Sequence, residues 1–417
     1  MRRHDQLYSL YENHDTETAR ALQNLADLYP LVESPVALDR WAEITEELTD
    51  YTTAIADAFP DDGETFADLA ARAREEQAFA GLDLYEKYDR AVNVLVLDVD
   101  ETLRSTGSTD NEIPRETLNL LVTFHEQGVP IVICTGQTLE NVKGFAIQGL
   151  GSELVHSGRL SIVYETGTGV FTPGHGAETK QLLYEELAPE IRRVFDDLRA
   201  RVISEAPDHL RSGCHLQGNE FNVTMKPNFD TGSGAAVEII DEALVYELDL
   251  LGDAVAALDA VDADPETVAD WTRAHYADRD PEIRAVLDAA DGLPDATTAD
   301  PSSAVTSLLD RIDVGYYEGD AAEVGSLELS KVVGVEAAFD VLGVEDPFAV
   351  VMGDSKSDLR VMRWVAEHDA GIAAAPEHAS QAVLDHAEST DALVFDEGRA
   401  GDVLRTVYAL NRFAAAE

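Results

Sequence analysis

Lysine is almost absent from this chain. Its 417 residues hold six (Lys87, Lys143, Lys180, Lys226, Lys331 and Lys356), and lysine and arginine together number 30 against 81 acidic residues, a formal net charge of −51. No basic patch is available to displace counterions from a phosphate backbone, so nucleic acid is excluded as a partner. The acid is not gathered in a tail but recurs along the helical stretches, as in Glu185-Glu186 and Asp196-Asp197. Such a surface reads as halophilic, because ionic strength of about 1 M shortens the Debye length to ~3 Å and relieves the repulsion.

Cysteine is equally scarce. Cys134 and Cys214 have no Cys or His spaced for zinc, which excludes a disulfide scaffold and a zinc module, and Cys134 among Ile131, Val132 and Ile133 reads as a small buried filler. No apolar stretch approaches the ~18 residues of a membrane span, and Met1-Arg2-Arg3-His4-Asp5-Gln6 lacks the apolar core of a signal peptide, so a cytoplasmic protein without a membrane partner is expected. No Gly-Lys dipeptide occurs and Gly167 with Gly169 does not complete a dinucleotide fingerprint, so a Walker-type loop and a nucleotide cofactor fold are excluded. No repeat of fixed period stands out.

What is present divides the chain into three textures. Residues 1–90 read as helices: Ala21, Leu22, Leu25 and Leu28 recur at helical spacing, and Trp41, Ile44, Leu48, Tyr51 and Ile55 line one face of a second helix. Ser34-Pro35 is a suitable start for that helix, as N-cap and first-turn proline. This segment reads as a helical extension that packs on the rest of the molecule or on another subunit. Residues 91–171 and 329–417 instead alternate short apolar runs with helical stretches, which predicts an α/β core, a Rossmann-like parallel sheet with helices on both faces. Strands are expected near 94–97, 129–134, 161–164, 348–352, 371–375 and 392–395, with helices over 117–127, 332–342 and 401–413. Residues 172–328 mix a helix over 178–203, a strand over 221–225, a helix over 303–309 and strands over 314–317 and 327–329, which predicts an inserted α+β domain.

Four fragments in the α/β portion carry chemistry. The apolar run ending at Leu97 is followed by Asp98-Val99-Asp100-Glu101-Thr102, and period-two alternation brings two carboxylates to one side of a strand end, one for attack and one for proton transfer. The run Ile131-Val132-Ile133-Cys134 ends in Thr135-Gly136, whose hydroxyl can hydrogen-bond a phosphoryl oxygen. Ser330-Lys331 opens a helix, and an ammonium there can neutralise a bound phosphate and an attacking aspartate. Last, Val350-Val351-Met352-Gly353 runs into Asp354 and Asp358, two carboxylates able to hold a magnesium ion. Open α/β sheets bind ligands beyond the carboxyl ends of their strands, so one site is implied. Within the insert, Arg211, His215, Asn222 and Lys226 are polar candidates for gripping a substrate's leaving group.

In order, spacing and residue type these fragments resemble the haloacid dehalogenase superfamily of aspartate-nucleophile phosphatases and phosphotransferases. An insert between the second and third motifs is similar to the branch with a large cap after the third core strand, which includes sugar-phosphate phosphatases and phosphomannomutases. The resemblance implies Asp98 as nucleophile, Asp100 as general acid and base, Thr135 and Gly136 against the phosphate, and Lys331 as charge-neutralising base. It implies Mg2+ held by Asp98, the backbone carbonyl of Asp100 and Asp354, with Asp358 in support. The expected reaction is hydrolysis of a small phosphorylated metabolite. A phosphomutase sharing the same residues is the alternative within enzymes, and a non-catalytic metal-binding protein that recruits a partner through its helical extension is the alternative outside them. Two departures from the family stand out: Glu101 where many members have glycine, and Glu165-Thr166-Gly167-Thr168-Gly169 where several relatives have Asn-Gly.

Overall fold

The computed structural model describes residues 3–28, 35–105, 112–294 and 300–416. Among these residues twelve strands run in chain order as β1 (Val94–Leu97), β2 (Ile131–Cys134), β3 (Leu160–Tyr164), β4 (Gly169–Phe171), β5 (Lys180–Leu182), β6 (Cys214–Leu216), β7 (Val223–Pro227), β8 (Ile312–Tyr317), β9 (Ala321–Ser326), β10 (Ala349–Met352), β11 (Gly371–Pro376) and β12 (Leu393–Phe395). Eight form one sheet in the order β12-β11-β10-β1-β2-β3-β4-β5, of which the first six are parallel and the last two antiparallel. The α/β class predicted from the alternation is the one observed. No described helix is long and apolar enough to cross a membrane.

The central strands are apolar on both faces because both faces are covered. Leu95 and Leu97 of β1 enter a core shared with Phe124, Leu404 and Leu410. Val94 and Val96 point the other way, into a second core with Val335, Phe339, Met362 and Val365. The amino-terminal helices belong to the first of these: Leu7, Leu10, Ile55, Phe66, Leu82 and Tyr85 are continuous with it. Helix Glu75–Tyr88 lies along the last helix, Ala400–Ala415, at a crossing that only glycine permits, since a Cβ at Gly81 would fall 2.6 Å from the Ala409 Cβ and 2.8 Å from the Leu410 amide. Buried Arg405 ties the layers together by donating to Glu116 Oε1 (2.6 and 3.0 Å), Asn24 Oδ1 (3.1 Å) and the Arg72 carbonyl. The predicted stripe is only partly inside: Ile44, Leu48 and Ile55 are buried, whereas Leu25 and Trp41 are 41% and 45% exposed. Pro35 opens helix Pro35–Ala58, and Ser34 lies outside the described residues.

The helix expected over 178–203 forms only as Pro189–Arg201. Pro189, lacking an amide proton, cannot sit inside a helix, and the residues before it pair instead as β5, carrying the large sheet beyond residue 171. The insert has its own antiparallel sheet, β6-β7-β9-β8, covered on one face by helices that include Ser233–Ala256 and Pro265–Arg279. The strand expected at 327–329 lies earlier, at β9, because the turn at 318–320 is tight and pairing starts at Ala321↔Tyr317. Val223, Met225, Ala322 and Val324 face the helices. By alternation Asn222, Thr224, Glu323, Gly325, Asp313, Gly315 and Tyr317 share the other face.

Candidate active site

Three adjacent parallel strands set the site. The register Leu97↔Ile133 on one side of β1 and Leu97↔Met352 on the other brings Asp98, Thr135 and Asp354 to one edge, the carboxyl ends of the strands. Lys331 arrives from the start of helix Lys331–Leu342, whose N-cap Ser330 accepts the Val333 amide at 3.4 Å. That helix start is pressed against the loop after β3: Gly167 has φ +102°, and a Cβ there would lie 2.1 Å from the Ser330 carbonyl oxygen.

Lys331 is the hinge of the electrostatics. Its ammonium, in a residue only 2% exposed, donates to Asp98 Oδ1 at 2.8 Å and to Asp358 Oδ1 at 2.6 Å. Burial alone would lower its pKa, but the carboxylates of Asp358 and Asp98 outweigh burial and hold it well above the usual lysine range. Asp98 is itself buried, which raises its pKa; Lys331 opposes that rise, and Asp358 and Asp354 add to it. Asp354 is pushed up to about 6 by burial and by the neighbouring Asp358. Oxygens of Asp98, Asp354 and Asp358 all lie within 4.8 Å of one another. Three carboxylates share one ammonium, and an all-oxygen donor set with surplus negative charge suits a hard divalent cation.

Asp358 is the most committed of the three. Besides Lys331 on Oδ1, its Oδ2 accepts the amide (3.1 Å) and hydroxyl (2.5 Å) of Ser355, a capping box at the start of helix Lys356–Glu367. It therefore positions Lys331, which leaves Asp98 and Asp354 as the carboxylates to which a cation would add. Buried Thr135 accepts the Gln137 amide at 3.1 Å, and a Cβ at Gly136 would meet Thr166 Oγ1 at 3.5 Å, an ordinary contact.

Asp100 has partners that sequence reasoning missed. Arg104 donates to its Oδ1 through Nε (2.9 Å) and Nη2 (2.7 Å), and Gln137 Nε2 donates to Oδ2. The available signal was spacing: Arg104 follows Asp100 by one turn, and Gln137 follows Thr135-Gly136. Glu101 sits in the left-handed region at φ +54°, where glycine is unstrained, and its carboxylate lies 3.4 Å from His378 Nε2.

Glu165, the other departure, joins core to insert. Buried and at φ +48°, it accepts the Glu220 amide (2.6 Å) and the Phe221 amide (3.2 Å), while its backbone carbonyl accepts Asn222 Nδ2 at 3.4 Å. Tyr164 and Lys180 reach Glu220 alongside. On the far side Arg360 pairs with Asp313 (2.8 Å) and Lys356 with Glu282 (2.9 Å). Of the insert candidates, Asn222 lines the cleft between insert and core. Arg211 pairs with Asp208, His215 meets Asn228 Oδ1 at 3.2 Å, and Lys226 meets Asp320 at 3.2 Å, none of the three lining that cleft.

No family model and no curated protein matches the chain. Solved structures to which it is similar include a haloacid dehalogenase-like hydrolase from Bacteroides thetaiotaomicron, 14% identical over 76% of this chain and 98% of that one, with a TM-score of 0.42. A phosphatase of the haloalkanoate enzyme superfamily from the same organism is 16% identical over 77% of this chain and 96% of that one, with a TM-score of 0.42. The trehalose-6-phosphate phosphatase of Aspergillus fumigatus is 14% identical over 80% of this chain and 97% of that one, with a TM-score of 0.40.

Proposed function

We propose that this protein hydrolyses a small phosphate monoester, with Mg2+, through an aspartyl-phosphate on Asp98. The observation that carries the reading is the buried Lys331 bridging Asp98 and Asp358, with Asp354 beside them and Thr135 on the neighbouring strand end. Such a group has one nucleophilic carboxylate, a fixed positive charge to receive an anion, and surplus negative charge that a divalent cation would neutralise.

In the first step an oxygen of Asp98 attacks phosphorus in line, the bond to the leaving oxygen breaks, and Asp100 gives that oxygen its proton. In the second, Asp100 takes a proton from water, the hydroxide attacks phosphorus, and Asp98 leaves as a carboxylate. Arg104 and Gln137 hold Asp100 on both oxygens and so fix where its proton is delivered. Lys331 opposes the protonation that burial favours at Asp98 and pairs with the incoming phosphoryl charge, and the Thr135 hydroxyl donates to a phosphoryl oxygen. Asp98, Asp354 and the Asp100 carbonyl would hold a divalent cation such as Mg2+, which when bound would supply the charge neutralisation for an anion approaching a dianion. The insert covers the site and bounds the space for the leaving group. The acidic surface suits assay in concentrated salt.

Purified protein assayed for phosphate release with Mg2+ in molar potassium chloride is expected to turn over small phosphomonoesters, and Asp98→Asn to abolish turnover. Unchanged turnover in that variant would sink the mechanism. Little phosphate release, with isomerisation dependent on a bisphosphate activator, would mark a phosphomutase instead.

A further inference from the structure

A cavity of about 320 Å³, the volume of a small-ligand pocket, lies at the edge of the large sheet opposite to Asp98. Gly371, which opens β11, and Ala392, just before β12, place it at the amino ends of the strands, whereas Asp98 and Asp354 follow the carboxyl ends of β1 and β10. It has no part in the phosphoryl transfer proposed above. Three helices end around it: Glu75–Tyr88 brings Lys87 and Tyr88, Lys356–Glu367 brings Met362 and Val365, and Gln381–Thr390 brings His386 and Thr390. The amino-terminal segment thereby forms one wall.

The interior is apolar, and the polar groups that reach it are acceptors. Met362, Val365, Ile372 and Ala373 are buried and carry no hydrogen-bonding side chain. Thr390 spends its hydroxyl proton on the His386 carbonyl at 2.8 Å, so its oxygen offers lone pairs only. His386 Nε2 is buried without a partner among the described residues, and burial lowers the pKa of the ring, which keeps it neutral at pH 7. A neutral imidazole accepts from a ligand N–H at Nε2 when its own proton is on Nδ1. The rim is negative. Asp369 and Asp391 stand just beyond two of the helices, at φ +50° and +52°, and the carbonyl ends of all three helices add partial negative charge. Lys87 shows what this rim attracts: its Nζ lies 3.7 Å from Asp391 and 5.1 Å from the centroid of the Tyr88 ring. Asp369 has no ion pair among the described residues.

We infer that this cavity is a second binding site, for a small organic ammonium ion whose apolar part lies against Met362, Val365 and Ile372 and whose N–H groups face the carboxylates of Asp369 and Asp391. An anion would meet both carboxylates and three helix carbonyl ends, with Lys87 already engaged. A bare metal ion would find apolar walls where it needs oxygen ligands. The site and its ligand are independent of the phosphatase reading.

Calorimetric titration of the full chain in molar potassium chloride tests this with benzylammonium, benzyl alcohol and benzoate, which share a ring and differ in charge. Benzylammonium is expected to bind about tenfold more tightly than benzoate and about threefold more tightly than the alcohol. Ala366→Phe, at an exposed helix position on the cavity wall, should weaken benzylammonium about tenfold by filling the space. Asp369→Asn combined with Asp391→Asn, which keeps residues tolerant of the left-handed backbone, should weaken it about threefold and leave the alcohol within about twofold. Asp98→Asn should leave benzylammonium unchanged, since the carboxylates at the strand ends are not its site. Benzoate binding as tightly as benzylammonium, affinity unaltered in both cavity variants, affinity lost in Asp98→Asn, or no binding of benzylammonium by the wild type would each overturn the inference.

Discussion

Two of the places where acid is buried among the described residues are handled in different ways. At the strand ends of the core, Asp98, Asp354 and Asp358 are gathered around Lys331, which donates to two of them. In the insert, Glu247 is fully buried on helix Ser233–Ala256, both its carboxylate oxygens lack a partner among the described residues, and burial with Glu323 nearby raises its pKa well above the usual range. In the first cluster Lys331 opposes the rise in pKa that burial imposes on Asp98. At Glu247 burial and the neighbouring Glu323 raise the pKa together. A carboxylate in a protein interior thus signals chemistry only when something positive is arranged around it.

The sharpest way to break the contrast is Lys331→Met, which leaves the core cluster as bare as Glu247. Phosphate release is expected to fall by 10² or more, and metal-free stability by about 3–5 kcal/mol, as for one partner of a buried ion pair removed. Urea unfolding with and without Mg2+ measures the second effect, and Mg2+ should restore more stability to the variant than to the wild type.

A smaller effect follows from Asp354, whose pKa is pushed up to about 6 in the fold against 3.8 for the free side chain. The folded state then binds the proton more tightly than the unfolded state. The resulting stabilisation is complete below pH 3.8 and is lost as pH rises through about 6, amounting to about 2–3 kcal/mol at 1.36 kcal/mol per unit. Subtracting the pH-stability curve of metal-free Asp354→Asn from that of the metal-free wild type should expose this fall, and Mg2+ should oppose it above pH 6. A flat difference curve would show that Asp354 is not held in this environment.

Glu247→Gln extends the same logic to the insert. The raised pKa makes wild-type stability decline as pH climbs above the ordinary glutamate range, and the amide removes that slope. The variant should match the wild type in acid and exceed it by about 1–3 kcal/mol in alkaline solution, read from thermal unfolding. Weakest of all, Glu101→Gly should change stability by under about 1 kcal/mol, since relief of the left-handed backbone is offset by a freer unfolded chain and a lost contact with His378.

Legibility differed between the same two regions. The acid-tipped strands of the core were visible because each motif is local: a short apolar run, a stop, and a polar residue at a determined offset. Lys331 was conspicuous through rarity. In the insert, the stretch 178–203 has helical composition throughout, yet Pro189 and the pairing of β5 with β4 decide that its first part is strand. Arg104 and Gln137 could be seen as residues but not as partners of Asp100, since Arg104 reaches it around a turn with positive φ at Glu101 and Gln137 reaches it from beyond the end of the neighbouring strand β2. Arg211 and Lys226 look as eligible as Asn222 on paper, and only the sheet's orientation turns Asn222 into the cleft and leaves the others in surface pairs.

By itself the sequence determined the class of fold, the order of the motifs and the residue types that meet at the strand ends, because these follow from periodicity along the chain. The tertiary structure decided which carboxylates have an ammonium beside them, which residue latches the insert to the core, and which face of the insert borders the cleft. Those depend on burial and on neighbours brought together from positions far apart in the chain, and a residue's solvent and partners are properties of the folded assembly of strands rather than of the string.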